Sequence, residues 1–210
     1  MSKHEAYIKR EYSELANQYE SRWDLFLKVG RRWAYSALKG RLAQNKVLKI
    51  LDIGCGNGVF LKTLHEEFPQ HHYTGIDISK EMLPDKSKDI QFLNMSYDDY
   101  IKQDHKKRFD TILHMNVLHH IEGQEDHLKD VFKHMDEGAQ LLLIDFDRSS
   151  LLMYWADLYW RVFKKTHVKS WSLRDLKAFI NKQNGFEISV AETLKVNRFW
   201  RLQCLLIRKI

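Results

Sequence analysis

The sequence predicts an α/β protein built on a doubly wound, mostly parallel sheet, and three observations carry that prediction. Lys49-Ile50-Leu51-Asp52-Ile53 is an apolar run that ends in Gly54, Gly56 and Gly58, and an amphipathic segment follows at once. Strand, glycine turn and helix are joined without a linker, an arrangement that lets a ligand approach the backbone closely. From residue 48 onward, strand-length apolar runs alternate with helix-like segments across short connections, as in a parallel sheet covered on both faces. The chemically distinctive residues, Asp52, Asp77, His119 and His120, fall at or just past predicted strand ends. Ligands of such sheets bind there.

The patterns predict strands over 48–53, 72–77, 90–94, 110–115 and 140–146, and helices over 58–67, 79–83, 97–103 and 124–135. Ahead of them, residues 4–40 read as two or more helices, with Tyr7, Ile8, Tyr12, Leu15, Tyr19 and Trp23 at helical spacing. Gly30 marks a candidate break and Gly40 a candidate helix cap. Past the fifth strand, Ser149–Lys165 reads as an aromatic helix in which Leu151, Trp155, Leu158, Tyr159 and Val162 share one face. A helix over 172–183, entered at Ser170 or Ser172, precedes two strand-like runs, Phe186–Glu192 and Arg198–Ile207. The expected organisation is a single domain over 1–210. It divides into a helical lid or brace (1–46), a ligand-binding core (47–147), a helical insertion (148–170) and a closing helix with two strands (171–210).

At 210 residues, with 44% hydrophobic and 30% charged residues, the chain has the composition of a soluble globular protein with a sizeable core. No apolar run approaches the roughly 20 residues of a membrane span, and the first residues lack the apolar stretch of a secretory signal. Two widely separated cysteines, Cys55 and Cys204, point to a reduced, cytoplasmic protein and to no metal site. The net charge of +6 is uneven: residues 1–46 carry ten basic against five acidic residues, and 47–147 carry eleven against nineteen. Residues 148–170 carry five against one, and 171–210 eight against three. Basic flanks around an acidic centre fit an anionic substrate, a nucleic acid, a membrane surface, or simply a solvated face.

The glycine spacing separates this turn from a dinucleotide fingerprint, because the third glycine of Gly-x-Gly-x-x-Gly would fall at Val59 or Leu61. Leu51-Asp52-Ile53-Gly54-Cys55-Gly56-Asn57-Gly58 instead resembles motif I of the class I S-adenosylmethionine-dependent methyltransferases. The resemblance implies a Rossmann-like, seven-stranded fold with an antiparallel C-terminal strand inserted beside the fifth. It also implies that Gly54, Cys55, Gly56 and Gly58 pass beneath the methionine part of the cofactor while Asp52 helps to hold its amino group. Tyr12, Ala16 and Tyr19 resemble the family's entry helix, which makes Tyr19 a candidate cofactor contact or a plain core aromatic.

Asp77, about 20 residues past the turn, is placed to accept ribose hydroxyls, or else to cap the helix that follows. By resemblance Ile78 packs on the adenine. The third strand ends at Asn94-Met95-Ser96-Tyr97, where the family usually has an Asp, so Ser96, Tyr97 or Asp98 takes the adenine contact. Phe109–His120 is similar to the family's fourth strand and its Val-Leu-His-His end, which sets Met115 and Asn116 beside the methionine moiety. His119 and His120 then open towards the acceptor. An imidazole titrates near neutrality and suits proton removal from a nucleophile, although both histidines can equally shape the loop. Asp145, Asp147 and Arg148 end the fifth strand as further candidates. A Met135–Gln140 turn is expected before that strand.

The expected function is methyl transfer from S-adenosylmethionine, with S-adenosylhomocysteine as product, to a small, apolar or lipid-like acceptor. An RNA or protein methyltransferase and a non-catalytic module of the same fold are the alternatives. The basic pI of about 9.1 favours RNA, whereas the absence of an Asn/Asp-Pro-Pro-Tyr/Phe motif disfavours a base methylase. The 149–165 helix has three candidate roles: a lid over the acceptor, a homodimer face, or a peripheral membrane contact.

Overall fold

The computed structural model describes residues 2–210. Helix α1 (Lys3–Leu15) opens with a capping box in which Ser2 and Glu5 satisfy each other's backbone donors. A tight turn over Ala16–Gln18 leads into α2 (Tyr19–Leu42). There follow β1 (Lys49–Ile53), α3 (Val59–Glu67), β2 (His72–Asp77), β3 (Ile90–Asn94), α4 (Tyr97–Lys102), β4 (Phe109–Met115) and α5 (Gln124–Lys133). The chain closes with β5 (Met135–Phe146), α6 (Leu151–Phe163), α7 (Leu173–Ile180), β6 (Phe186–Lys195) and β7 (Arg201–Lys209).

The seven strands form one sheet in the order β3-β2-β1-β4-β5-β7-β6. Strands β1 to β5 run parallel, and β7 pairs antiparallel with both β5 and β6. The order reverses beside β1, so the carboxyl ends of β1 and β4 border the crevice in which such folds bind ligands. Two apolar layers sandwich the sheet. One joins Leu51, Ile112, Leu141 and Leu143 to α5 and α7, and the other joins Ile50, Leu113, Leu142 and Ile144 to α2 and α3.

Four expectations need correction. Gly30 does not break the helix: α2 runs through it, and the bare Cα faces Ile144 of the sheet. A methyl group there would meet its nearest neighbours at 3.7–3.8 Å, ordinary contact distance. Gly30→Ala is therefore expected to raise stability by about 0.5–1 kcal/mol, the usual difference between the two residues in a helix interior, measurable by urea denaturation. Gly40 lies within the same helix, whose cap is Ala43. The turn expected at Met135–Gln140 is instead the start of β5, where a register shift against β4 and a left-handed Gly138 absorb the irregularity. The helix expected over 79–83 is a single tight turn, Lys80–Met82.

Candidate active site

At the carboxyl end of β1 the chain turns sharply through Gly54 and Gly56, both with positive φ. A side chain at Gly54 would collide with Val117, and one at Gly56 would press on Met82 at 3.2 Å. The turn is pinned from β2: the Ile76 carbonyl accepts from the Gly54 and Cys55 N–H groups, and Asp77 Oδ2 accepts from the Gly56 N–H at 2.9 Å. Asp77 Oδ1 accepts from Ser79 N–H at 2.8 Å, so this carboxylate ties the glycine turn to the end of β2. Burial raises its pKa, against the pull of those two donors.

A cavity of about 360 Å³ lies over this turn. Its floor is Gly54, Gly56 and Asn116, one side carries Asp77 and Ile78, and Tyr12 and Tyr19 close it from the N-terminal helices. Asn116 is the one non-glycine residue with positive φ among the described residues, at 58°, and its buried Oδ1 has no hydrogen-bond partner. Left-handed Asn is uncommon, and an unpaired buried oxygen on a cavity wall is a place for a ligand donor. A narrow extension of about 40 Å³ runs under the turn to Asp52, Cys55 and Arg31. Burial and the neighbouring charge of Asp77 push the Asp52 pKa up to about 8, against the pull of Arg31. Arg31 is itself held by Glu20 through two contacts of 2.7 and 2.9 Å.

A second cavity, about 160 Å³, adjoins the first and shares Tyr12, Tyr19, Asn116 and His120 with it. Its walls are aromatic: Trp23, Phe26, Phe146 and Trp160 line it, and Trp200 stacks on Trp160 from behind at 5.2 Å with the rings 5° from parallel. His119 also faces this cavity. Its Nδ1 donates to Asp145 Oδ1 at 2.5 Å, and Asp145 Oδ2 accepts the His119 backbone N–H at 3.0 Å. Burial would raise the Asp145 pKa, yet His119 and the backbone donors hold it below the usual carboxylate range. The ionised carboxylate accepts the Nδ1 proton and leaves Nε2 of His119 without a hydrogen bond among the described residues.

His120 is differently placed, with both ring nitrogens engaged. Nδ1 donates to the Thr166 carbonyl at 2.5 Å, so Nε2 accepts from Tyr12 Oη at 2.6 Å. Burial, aided by His119, lowers the His120 pKa well below its ordinary value, and burial raises that of Tyr12 well above. The proton therefore stays on Tyr12 through the neutral range. Tyr12, 108 residues away in sequence, closes the roof that His120 supports.

A family model described as a methyltransferase domain matches residues 27–189. The chain belongs to that family. A malonyl-[acyl-carrier protein] O-methyltransferase of Bacillus cereus is 21% identical over 202 residues, spanning 90% of this chain and 75% of the relative. A tRNA U34 carboxymethyltransferase of Hydrogenovibrio crunogenus is 28% identical over 119 residues, 53% of this chain and 36% of the relative. Among solved structures, the Burkholderia thailandensis 1,6-didemethyltoxoflavin-N1-methyltransferase superposes with a TM-score of 0.73 at 15% identity, covering 100% of this chain and 91% of that one. The Synechocystis magnesium protoporphyrin IX methyltransferase gives 0.69 at 19%, covering 97% and 99%. These likenesses are to the fold.

In this methyltransferase the expected residues separate into groups. Gly54, Gly56, Asp77, Ile78, Ser96, Tyr97, Met115, Asn116 and Tyr19 line the larger cavity, while Asp52 and Cys55 line its extension. The Cys55 sulfur packs towards Gly75, where an added Cβ would sit 2.8 Å from it. Gly58 lies off the cavity walls: it caps α3 with φ of 66° beneath Phe92 and Pro84, so it shapes the turn without touching its contents. Ser96 caps α4 through Asp99 N–H, and the Tyr97 hydroxyl pairs with His134 Nδ1, so both meet the cavity with groups already engaged. His119 lines only the aromatic cavity, whereas His120 borders both. The aromatic walls and the Tyr12–His120 bond escaped the sequence reading, since no local pattern joins residues so far apart.

Proposed function

We propose that this methyltransferase takes the methyl group from S-adenosylmethionine, held over the glycine turn, and places it on a small apolar acceptor in the aromatic cavity. The observation that carries the proposal is the junction of the two cavities at Tyr12, Tyr19, Asn116 and His120. The residues fit the donor. Two bare Cα atoms form a cradle, Asn116 Oδ1 lacks a donor, and Asp52 and Asp77 are buried carboxyl groups that a cationic ligand would draw into their charged form. Asp77 would hold the ribose, Asp52 the amino group, and Ile78 and Ser96 would border the adenine. When bound, the donor supplies an electrophilic methyl group.

The remaining work falls to the protein. Trp23, Phe26, Phe146 and Trp160 desolvate and orient the acceptor. His119 takes the proton from an O–H or N–H nucleophile at Nε2, and Asp145 stabilises the imidazolium that results. His120 and Tyr12 position the wall between the cavities. Trp160 and Lys164 of the 149–165 segment face the acceptor cavity, which supports a lid role for the inner side of α6. A relative named malonyl-[acyl-carrier protein] O-methyltransferase and solved structures named 1,6-didemethyltoxoflavin-N1-methyltransferase and magnesium protoporphyrin IX methyltransferase support methyl transfer as the reaction.

Asp52 gives this reading a pH signature. Below about pH 8 the empty site holds a proton that a cationic ligand displaces. Affinity for S-adenosylmethionine is therefore expected to climb between about pH 6 and 7.5, by up to about tenfold per unit, and Asp52→Asn should flatten the slope. Calorimetry in two buffers of different ionisation heat reads the released proton directly. Equal heats in both would contradict the role of Asp52.

A further inference from the structure

The outer face of α6 is the least explained surface of the molecule. The helix starts at Ser150, whose side chain caps Met153 N–H, and runs for 13 residues. Its inner side is set by Met153, Asp157 and Trp160. Asp157 is buried and satisfied: His167 Nε2 donates to it at 2.8 Å and the Ser170 N–H at 2.6 Å, with Arg148 and Arg161 at 3.9 and 3.8 Å. That fixed anchor turns the opposite side outwards. Leu151, Trp155, Tyr159 and Val162 lie on this side at 58–74% exposure, joined by Leu152 and Phe163. A continuous apolar stripe about 20 Å long is unusual on a surface that meets only water.

We infer that this face docks α6 onto an anionic phospholipid bilayer surface. Charge complementarity selects that occupant. The one acid of residues 148–170, Asp157, is buried inside, whereas Arg161, Lys164 and Lys165 are exposed at the end of the stripe, with Arg161 3.8 Å from Asp157, Lys164 3.8 Å from Glu11 and Lys165 over the Tyr7 ring at 4.8 Å. A second copy packed face to face would bring no carboxylate to this rim, because the one acid of the segment is buried. Lipid headgroups of negative charge satisfy the rim while Trp155 and Tyr159 enter the interface, the arrangement of a helix lying in the membrane plane. No helix among the described residues is long and apolar enough to cross a membrane, so the contact is peripheral.

The location carries a consequence for entry to the site. An open cleft of about 410 Å³ lies between α1 and the end of α6, bordered by Arg10, Arg22, Phe163 and Lys165. It shares Glu11, Leu15, Arg22, Lys164 and Thr166 with the aromatic cavity, and Glu11 partly neutralises Lys164 at 3.8 Å. Docking through α6 sets this mouth at the lipid surface, where an apolar acceptor concentrates. That last step rests on the proposed acceptor site, but the docking itself does not.

Co-sedimentation of the full chain with vesicles tests the docking without donor or acceptor, so its failure is separate from failure of methyl transfer. Partition onto vesicles of equal phosphatidylglycerol and phosphatidylcholine is expected to exceed that onto pure phosphatidylcholine by about tenfold and to fall as salt rises. The double variant Trp155→Glu/Tyr159→Glu should lose about tenfold or more, and Lys165→Glu should lose less, with circular dichroism melting unchanged in both. Wild-type protein that stays in the supernatant with both vesicles would overturn the inference, as would equal partition of the double variant. A dimer in light scattering that the double variant dissolves, or binding to an acidic protein without vesicle binding, would overturn it too.

Discussion

Asp77→Ala is expected to weaken S-adenosylmethionine binding by roughly 30- to 150-fold, about 2–3 kcal/mol, as read by calorimetry. Two losses add. The carboxylate is the group proposed to accept donor hydroxyls, and it also receives the Gly56 and Ser79 N–H groups at 2.9 and 2.8 Å. Without it both backbone donors lack that acceptor and the cradle loses its tie to β2. Loss of charge alone is separated by Asp77→Asn, which keeps one acceptor oxygen and should fall between the two. Affinity in the Ala variant equal to wild type would remove the cavity over Gly54 and Gly56 as the donor site.

His119→Asn is expected to lower kcat by about 10²- to 10⁴-fold while leaving donor affinity within about twofold, a general-base loss. Asn can still donate to Asp145 but offers no basic nitrogen to the aromatic cavity. Asp145→Asn should act in the same direction, because the carboxylate fixes the tautomer and balances the imidazolium through the 2.5 Å contact with Nδ1. The sign of the stability effect follows from the Asp145 pKa, which folding lowers. The pair's contribution is complete above the ordinary carboxylate range and is lost as pH falls through the folded value. His120→Gln serves as the contrast. Both His120 nitrogens are already hydrogen-bonded, so its loss should loosen the cavity roof and raise KM more than it lowers kcat. Unchanged turnover in His119→Asn would eliminate it as the base.

The parallel core was legible in the sequence because its strands are short apolar runs that end at glycine, Asp or Asn. The starts and ends of β1, β2, β3 and β4 fall within one residue of expectation for that reason. Legibility failed where tertiary packing overrode local signals. Gly30 and Gly40 read as punctuation, yet α2 packs along the sheet and carries both inside the helix. In α6, periodicity identified one shared face for Leu151, Trp155, Leu158, Tyr159 and Val162, but not that this face points outwards. A buried Asp157, paired through residues 10 and 13 positions downstream, decided the orientation against the usual rule that the apolar side faces in. His119 and Asp145 were each noticed, but their pairing depends on β4 and β5 lying side by side, with Met115 opposite Ile144. Contacts between residues 26 positions apart leave no trace in spacing.

The most direct test of the account is incubation of the protein with cell extract and methyl-labelled S-adenosylmethionine, followed by separation of label into solvent-soluble small molecules, RNA and protein. Label is expected in the solvent-soluble fraction with wild type and about 10²-fold less or lower with His119→Asn, at equal donor binding. Label confined to RNA or to protein side chains, with wild type and His119→Asn alike, would contradict it.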